Sequence, residues 1–94
     1  MDKQRKKELR EQSRREEGRV GHVLQETWRL IEKARMYVRA GEPKRAYTVY
    51  SSALELYEPY HGICREQFPA KHDPLQSMYE LGIDIQRLFE EIKA

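Results

Sequence analysis

The sequence has little of several features that usually indicate a function or a location. Its 94 residues contain one cysteine, Cys64, which excludes an internal disulfide framework and is typical of a reducing compartment. No run approaches the roughly 20 consecutive apolar residues that a membrane-spanning helix requires. The N-terminus is charged but lacks the apolar stretch of a signal peptide. We therefore expect a cytoplasmic protein with no membrane span.

Apolar residues are also scarce relative to charged ones. Hydrophobic residues make up 38% of the chain and charged residues 36%, with a net charge of +2. This length and composition predict one domain with a small core. Residues 1–20 hold eight Lys or Arg against five Asp or Glu, whereas residues 21–94 hold ten against eleven. The positive excess therefore lies wholly in the N-terminal arm.

The N-terminal arm, residues 1–19, has only Met1 and Leu9 as large apolar residues. Burial of so few apolar side chains cannot offset the entropy lost when the segment becomes ordered, although most of its residues favour helix. We predict a basic arm that is either a frayed, solvated helix or disordered. The folded domain is predicted to cover residues 20–94.

Apolar residues in the first half of that domain recur every three to four positions, which is typical of amphipathic helices. The first helix is predicted to begin at Val20 and to stop at Gly41. The second is predicted to begin at Pro43, with Ala46, Tyr50 and Ala53 in its apolar stripe and the two alanines buried where the helix meets its neighbours. It either ends near Glu58 or continues with a kink, because Pro59 removes a backbone donor.

A third helix is predicted after a connector, residues 59–72, whose pattern favours neither helix nor loop. Asp73 is a suitable N-cap, Pro74 fits the first helical position, and Gln76 is spaced to reach back to the cap. The buried stripe of this helix is predicted to be Leu75, Met78, Gly82, Ile85, Phe89 and Ile92. Glycine costs about 1 kcal/mol of helix propensity relative to alanine, so we expect another helix to approach closely at Gly82. The three helices predict an all-α, antiparallel bundle.

Residues 27–59 carry a regular pattern of small and aromatic side chains. Its members are Leu30, Ala34, Tyr37, Gly41, Ala46, Tyr50, Ala53 and Leu54. This pattern resembles the tetratricopeptide repeat, a helix–turn–helix of 34 residues. It departs from the repeat at Lys33, where leucine is usual, and no second copy is present. With the third helix added, the chain resembles the microtubule-interacting-and-trafficking (MIT) domain, a three-helix bundle. The resemblance implies that peptides bind in grooves between the helices.

Four residues of the connector and its end, His61, Cys64, His72 and Asp73, have side chains used in metal or nucleophilic sites. A structural zinc site normally has four ligands, usually with two or more cysteines. A cysteine nucleophile needs an orienting group and a stabilising site for the oxyanion, and the sequence indicates neither. We therefore expect ordinary loop residues here, with no metal, no cofactor and no enzymatic activity.

Aromatic residues are the candidate partner-binding residues, because aromatic side chains are favoured anchors at interfaces. The candidates are Trp28, Tyr47, Tyr57, Tyr60 and Tyr79. Several apolar residues also fall outside the predicted core stripes, namely Trp28, Met36, Tyr47, Leu56, Tyr79 and Ile83. Soluble monomers rarely expose large apolar patches, so we expect these residues to be covered by a homodimer or by a partner peptide.

The sequence as a whole favours a small protein–protein interaction module, either an adaptor or a self-associating helical protein. The alternative is a nucleic-acid-binding accessory protein that uses its basic arm to contact phosphates. The candidate phosphate contacts are Lys6, Lys7, Arg10, Arg14 and Arg15. Acidic residues interrupt these positive charges and no aromatic residue lies among them, so a solvated tail is favoured over nucleic-acid binding.

Overall fold

The computed structural model describes the backbone of residues 2–93 and the side chains of residues 18–92. All regular elements of the described backbone are helical, which confirms the all-α prediction. They are α1 (Asp2–Arg39), α2 (Pro43–Tyr57), α3 (His61–Gln67) and α4 (Leu75–Lys93), with 3₁₀ turns at Glu58–Tyr60 and Ala70–His72.

Helix α1 is longer than the sequence pattern predicted. It has 38 residues and passes through Gly18 and Gly21 without a break. The arm was predicted to be either helical or disordered. The backbone of residues 2–19 is helical and continues without a break into the rest of α1. Each glycine costs about 1 kcal/mol of helix propensity, which the good helix formers around it offset. The predicted phosphate contacts in this arm lie outside the described side chains.

We expect removal of residues 1–19 to leave the thermal unfolding transition nearly unchanged. The deleted segment contains little apolar surface to bury, and the described core begins at Val20. The midpoint measured by circular dichroism should move by less than about 3 °C, since 1 kcal/mol shifts a domain of this size by roughly 4–8 °C. Loss of the cooperative transition would show that the arm is part of the folded unit.

The turn between α1 and α2 forms where the glycine and the proline predicted it. Gly41 adopts a φ of +73°, a conformation that glycine reaches at no steric cost. Its N–H donates to the Val38 carbonyl at 3.1 Å, and the Glu42 N–H donates to the Tyr37 carbonyl at 2.9 Å. These bonds satisfy carbonyls at the end of α1, and Pro43 then opens α2.

The core lies where α1, α2 and α4 meet. Contact is most extensive between α1 and α2, and α4 packs against both. The buried residues of the core include Thr27, Ile31, Ala34, Ala46, Ala53, Tyr57, Cys64, Met78, Leu81 and Ile85. Ala46 and Ala53 are fully buried, as predicted, and side chains of this size allow two helices to approach closely.

The connector contains a short helix, α3, between two 3₁₀ turns. Of the two predicted alternatives, an end near Glu58 or a kinked continuation, the structure combines both: α2 ends at Tyr57, and a 3₁₀ turn that contains Pro59 leads directly into α3. The ambiguity of the sequence pattern reflects these short elements, none of which spans more than seven residues.

The start of α4 confirms one part of the predicted capping and corrects another. The Leu75 N–H donates to Asp73 Oδ1 at 3.1 Å, so Asp73 is the cap. Gln76 does not reach back; its amide donates to Glu80 Oε1 at 3.3 Å. The Asp73 N–H is already bonded to the Ala70 carbonyl at 3.0 Å, so the preceding 3₁₀ turn has taken the donor that Gln76 would need.

The predicted buried stripe of α4 is confirmed at Met78 and Ile85 only. Leu75, Gly82 and Phe89 are half-buried, and Leu81, beside the predicted stripe, is buried. Ile92 was predicted to be buried and is 61% exposed. The apolar periodicity continues into the last turn of α4, beyond the part of the helix that packs against its neighbours.

Candidate functional site

A groove lies between α2 and α4. Its first part is a cavity of about 420 Å³ lined by Tyr47, Tyr50, Tyr79, Gly82, Ile83, Ile85, Gln86 and Phe89. A second cavity of about 410 Å³ shares Tyr50 and Tyr79 with the first and is also lined by Leu54, Leu75, Gln76 and Met78. The two cavities form one continuous surface, which we call the α2/α4 groove. Tyr47 and Phe89 line one end of it, and Leu54 and Leu75 line the other.

The floor of the groove is formed by Tyr50 lying against Gly82. A Cβ atom placed on Gly82 would lie 2.9 Å from Tyr50 Oη and 3.2 Å from Tyr50 Cζ. Real Cβ atoms almost never come within 3.0 Å of a non-bonded heavy atom, so any larger residue at position 82 would displace the Tyr50 ring. The sequence predicted that another helix approaches closely at Gly82; the nearest atoms belong to the Tyr50 side chain of α2 and not to a helix backbone.

The rim of the groove is apolar and open to solvent. Tyr79 is 68% exposed, Tyr47 is 54% exposed and Ile83 is 38% exposed. The Tyr47 and Tyr50 rings are tilted by 42°, with centroids 6.3 Å apart, within the range of favourable aromatic pairs. An apolar rim around an apolar cavity is the usual character of a surface that another molecule covers.

The structure brings together two of the five predicted partner-binding residues, Tyr47 and Tyr79, on opposite sides of the groove. Trp28 lies elsewhere, half-buried, and its Nε1 donates to the His72 carbonyl at 3.1 Å. Tyr60 is half-buried in the first 3₁₀ turn. Spacing along the chain does not distinguish the aromatic residues of the groove from the others. It assigns a residue to one face of a helix but does not show which neighbouring element covers that face.

Tyr57 does not belong to the candidate interface. Its side chain is fully buried, and its hydroxyl donates to Asp73 Oδ1 at 3.1 Å. Burial, together with the adjacent Cys64 thiol and the Asp73 carboxylate, raises the pKa of Tyr57 well above its usual range. The prediction that Tyr57 contacts a partner is therefore wrong, because the residue joins the end of α2 to the start of α4.

Groove residues that the sequence pattern did not identify are Tyr50 and Phe89. Both were assigned to core stripes, and both are half-buried with their remaining surface in the groove. Gly82 was the available signal, since an unexplained glycine in the middle of a helix indicates that something large lies against it.

The side chains around Asp73 form a structural cluster. One carboxylate oxygen caps α4 and accepts the bond from Tyr57. The other lies 3.5 Å from His61 Nε2 and 4.0 Å from Arg65 Nε. Across the described residues, no three His, Cys, Asp or Glu side chains are grouped so that they could hold a metal ion. The carboxylate is occupied in holding α2, α3 and α4 together.

We expect Asp73→Ala to lower the free energy of unfolding by about 2 kcal/mol. The variant loses the cap, which contributes about 1 kcal/mol, and leaves the buried Tyr57 hydroxyl without an acceptor. Asp73→Asn is the matched control, because its amide oxygen can still accept a hydrogen bond, and it should lose less than half as much. Urea unfolding checks both variants. Equal losses would show that the negative charge of Asp73, and not its hydrogen bonds, stabilises the fold.

Comparison with known proteins assigns no family to this chain. No family model matches it, and neither does any curated protein or solved structure. Among the helices of the described residues, none combines the length and apolar character needed to cross a membrane. The geometry of the α2/α4 groove is therefore the basis of the functional proposal.

Proposed function

We propose that this chain is a small protein–protein interaction module that binds a protein partner along the α2/α4 groove. The observation that carries the proposal is the exposure of Tyr47, Tyr79 and Ile83 around an apolar cavity. Tyrosine is enriched at the centres of interfaces, where its ring supplies contact area at little cost in side-chain entropy.

The proposed architecture is an antiparallel bundle of α1, α2 and α4, with a tetratricopeptide-like hairpin made by α1 and α2. The tight turn at Gly41 supports it for α1 and α2. For α2 and α4 the support is the order of residues along the groove, with Tyr47 near Phe89 and Leu54 near Leu75. A groove between two antiparallel helices suits an extended or helical protein segment. We place the protein in the cytoplasm, in keeping with its single buried cysteine.

Photo-crosslinking in an extract of the source cell tests the proposal. A photoreactive phenylalanine replaces Tyr79 in one variant and Met36 in the other. Met36 is the matched control, since it is 65% exposed and lies on α1 away from the groove. We expect a discrete crosslinked product from position 79 and none from position 36, and adding Ile83→Asp should abolish it.

Two results would contradict the groove as the binding surface. One is equal crosslinking from both positions, and the other is a product that persists in the presence of Ile83→Asp. Crosslinking to nucleic acid, lost when residues 1–19 are removed, would favour the basic arm as the functional site.

A further inference from the structure

The basic arm is part of a continuous helix, and the helix separates most of its positive charges from its acidic residues. Along the sequence, acidic residues interrupt the positive charges of residues 1–19. The backbone of residues 2–19 belongs to α1, and successive residues of an α-helix are about 100° apart around its axis. This spacing places five basic residues in one sector of the helix, about 100° wide: Lys3, Lys6, Lys7, Arg10 and Arg14.

Most acidic residues of the arm fall outside that sector. Glu17 is the one acidic residue of the arm within it, and it follows Arg14 at the C-terminal end of the sector. The others lie elsewhere around the helix, namely Asp2, Glu8, Glu11 and Glu16. From Lys3 to Arg14 the sector therefore holds five positive charges and no negative charge. We call these five positions the basic face.

We propose that the basic face binds the phosphate backbone of a nucleic-acid duplex, without reading its base sequence. The five positions extend about 16 Å along the helix axis, at 1.5 Å per residue. Duplex DNA carries one negative charge per roughly 1.7 Å of its length, and its major groove, about 12 Å wide, admits an α-helix. Lysine and arginine are the usual contacts to phosphate oxygens. The basic face is separate from the α2/α4 groove, so the proposal does not depend on the function of that groove.

The composition of the arm favours a duplex over other anionic partners. A helix that lies on a membrane surface buries an apolar face at the level of the headgroups, and the arm has only Met1 and Leu9 as large apolar residues. Single-stranded nucleic acid is bound largely by stacking of bases on aromatic side chains, and residues 1–19 contain no aromatic residue. A row of positive charges with neither feature matches the phosphate strands of a duplex.

The arrangement of the basic face is unfavourable for the helix by itself. Lys6, Arg10 and Arg14 follow one another at intervals of four residues, and like charges at this spacing repel each other on a helix. The arm also contributes little to the fold, since the described core begins at Val20. Binding to phosphates would neutralise the repelling charges, so a polyanion stabilises the helical arm.

Fluorescence anisotropy of a labelled DNA duplex of about 20 base pairs, titrated with the full chain, tests the proposal. We expect saturable binding with a Kd below about 100 μM at about 50 mM salt. The slope of log K against log salt should be about −4.5, since each of five phosphate contacts contributes roughly −0.9. A triple variant, Lys6→Gln with Arg10→Gln and Arg14→Gln, should reduce the slope to about −2 and weaken binding at least about tenfold.

Two controls separate the basic face from total charge and from sequence composition. Replacing Arg5, Arg15 and Arg19 with glutamine removes as many positive charges from the rest of the helix, and it should change the slope by less than about 1. Gln12→Pro breaks the helix within the arm without changing its charge, and it should weaken binding about threefold or more relative to Gln12→Ala. Every variant should keep the thermal transition of the wild-type chain, which shows that the domain is folded.

Four results would overturn the proposal. The first is no binding to the duplex at about 50 mM salt, and the second is an equal loss in the two triple variants, which would show that only total charge matters. The third is equal affinity of Gln12→Pro and Gln12→Ala, which would exclude a helical face. The fourth is tighter binding to phosphatidylserine vesicles, or to single-stranded DNA of the same length, which would assign the arm to that partner. Crosslinking from Tyr79 measures the groove separately.

Discussion

Replacing Tyr57 with alanine is expected to lower the free energy of unfolding by about 3–5 kcal/mol, as for other large buried aromatic residues. Tyr57 is among the largest fully buried side chains in the described part of the chain. Its ring packs edge-on against His61, with ring centroids 5.7 Å apart. The variant leaves a cavity where α2, α3 and α4 meet, and a domain this small has little stability in reserve.

Tyr57→Phe separates the contribution of the ring from that of the hydroxyl. It keeps the packing and removes the bond to Asp73 Oδ1, so we expect a loss of about 1–2 kcal/mol. Tyr60→Ala is the control, since Tyr60 is three residues away and only half-buried, and it should cost less than Tyr57→Ala. Urea unfolding measures all three. Equal losses at the two tyrosines would contradict the central position of Tyr57 in the core.

Replacing Ala53 with phenylalanine is expected to cost about 3 kcal/mol, at the upper end of the range for overpacked cores. Ala53 is fully buried in α2, where a close-packed interior leaves little room for a larger side chain. A phenylalanine ring at this position would force the neighbouring helices apart, since close-packed interiors yield little to added volume.

Ser52→Phe is the matched control for Ala53→Phe. It makes a substitution of similar size one residue earlier, at an exposed position of the same helix, so it should change the stability by less than about 1 kcal/mol. The difference between the two variants isolates overpacking from any change in helix propensity. A melting temperature unchanged by Ala53→Phe would contradict the close packing of α2 in the bundle.

Local signals in the sequence by themselves determined where most of the described helices begin and end. Gly41 adopts the conformation that ends α1, and Pro43 opens α2. Asp73 caps α4 through its own side chain. Each of these boundaries is set by a local property of the chain: the positive φ of a glycine, the missing N–H of a proline, or a side chain that caps the next turn. Helical spacing likewise predicted the burial of Ala46 and Ala53, because one apolar stripe per helix must face the core.

Only the tertiary structure decided which apolar residues form the core and which form the groove. Tyr47 and Tyr57 lie on the same helix, yet the first is exposed and the second is enclosed. The difference arises because α3 and the start of α4 cover the end of α2, while no element among the described residues covers Tyr47. The sequence also did not predict the register of α2 and α4 that places the Tyr50 side chain against Gly82. Spacing predicts a face, but the neighbour that covers that face depends on contacts between residues far apart in the chain.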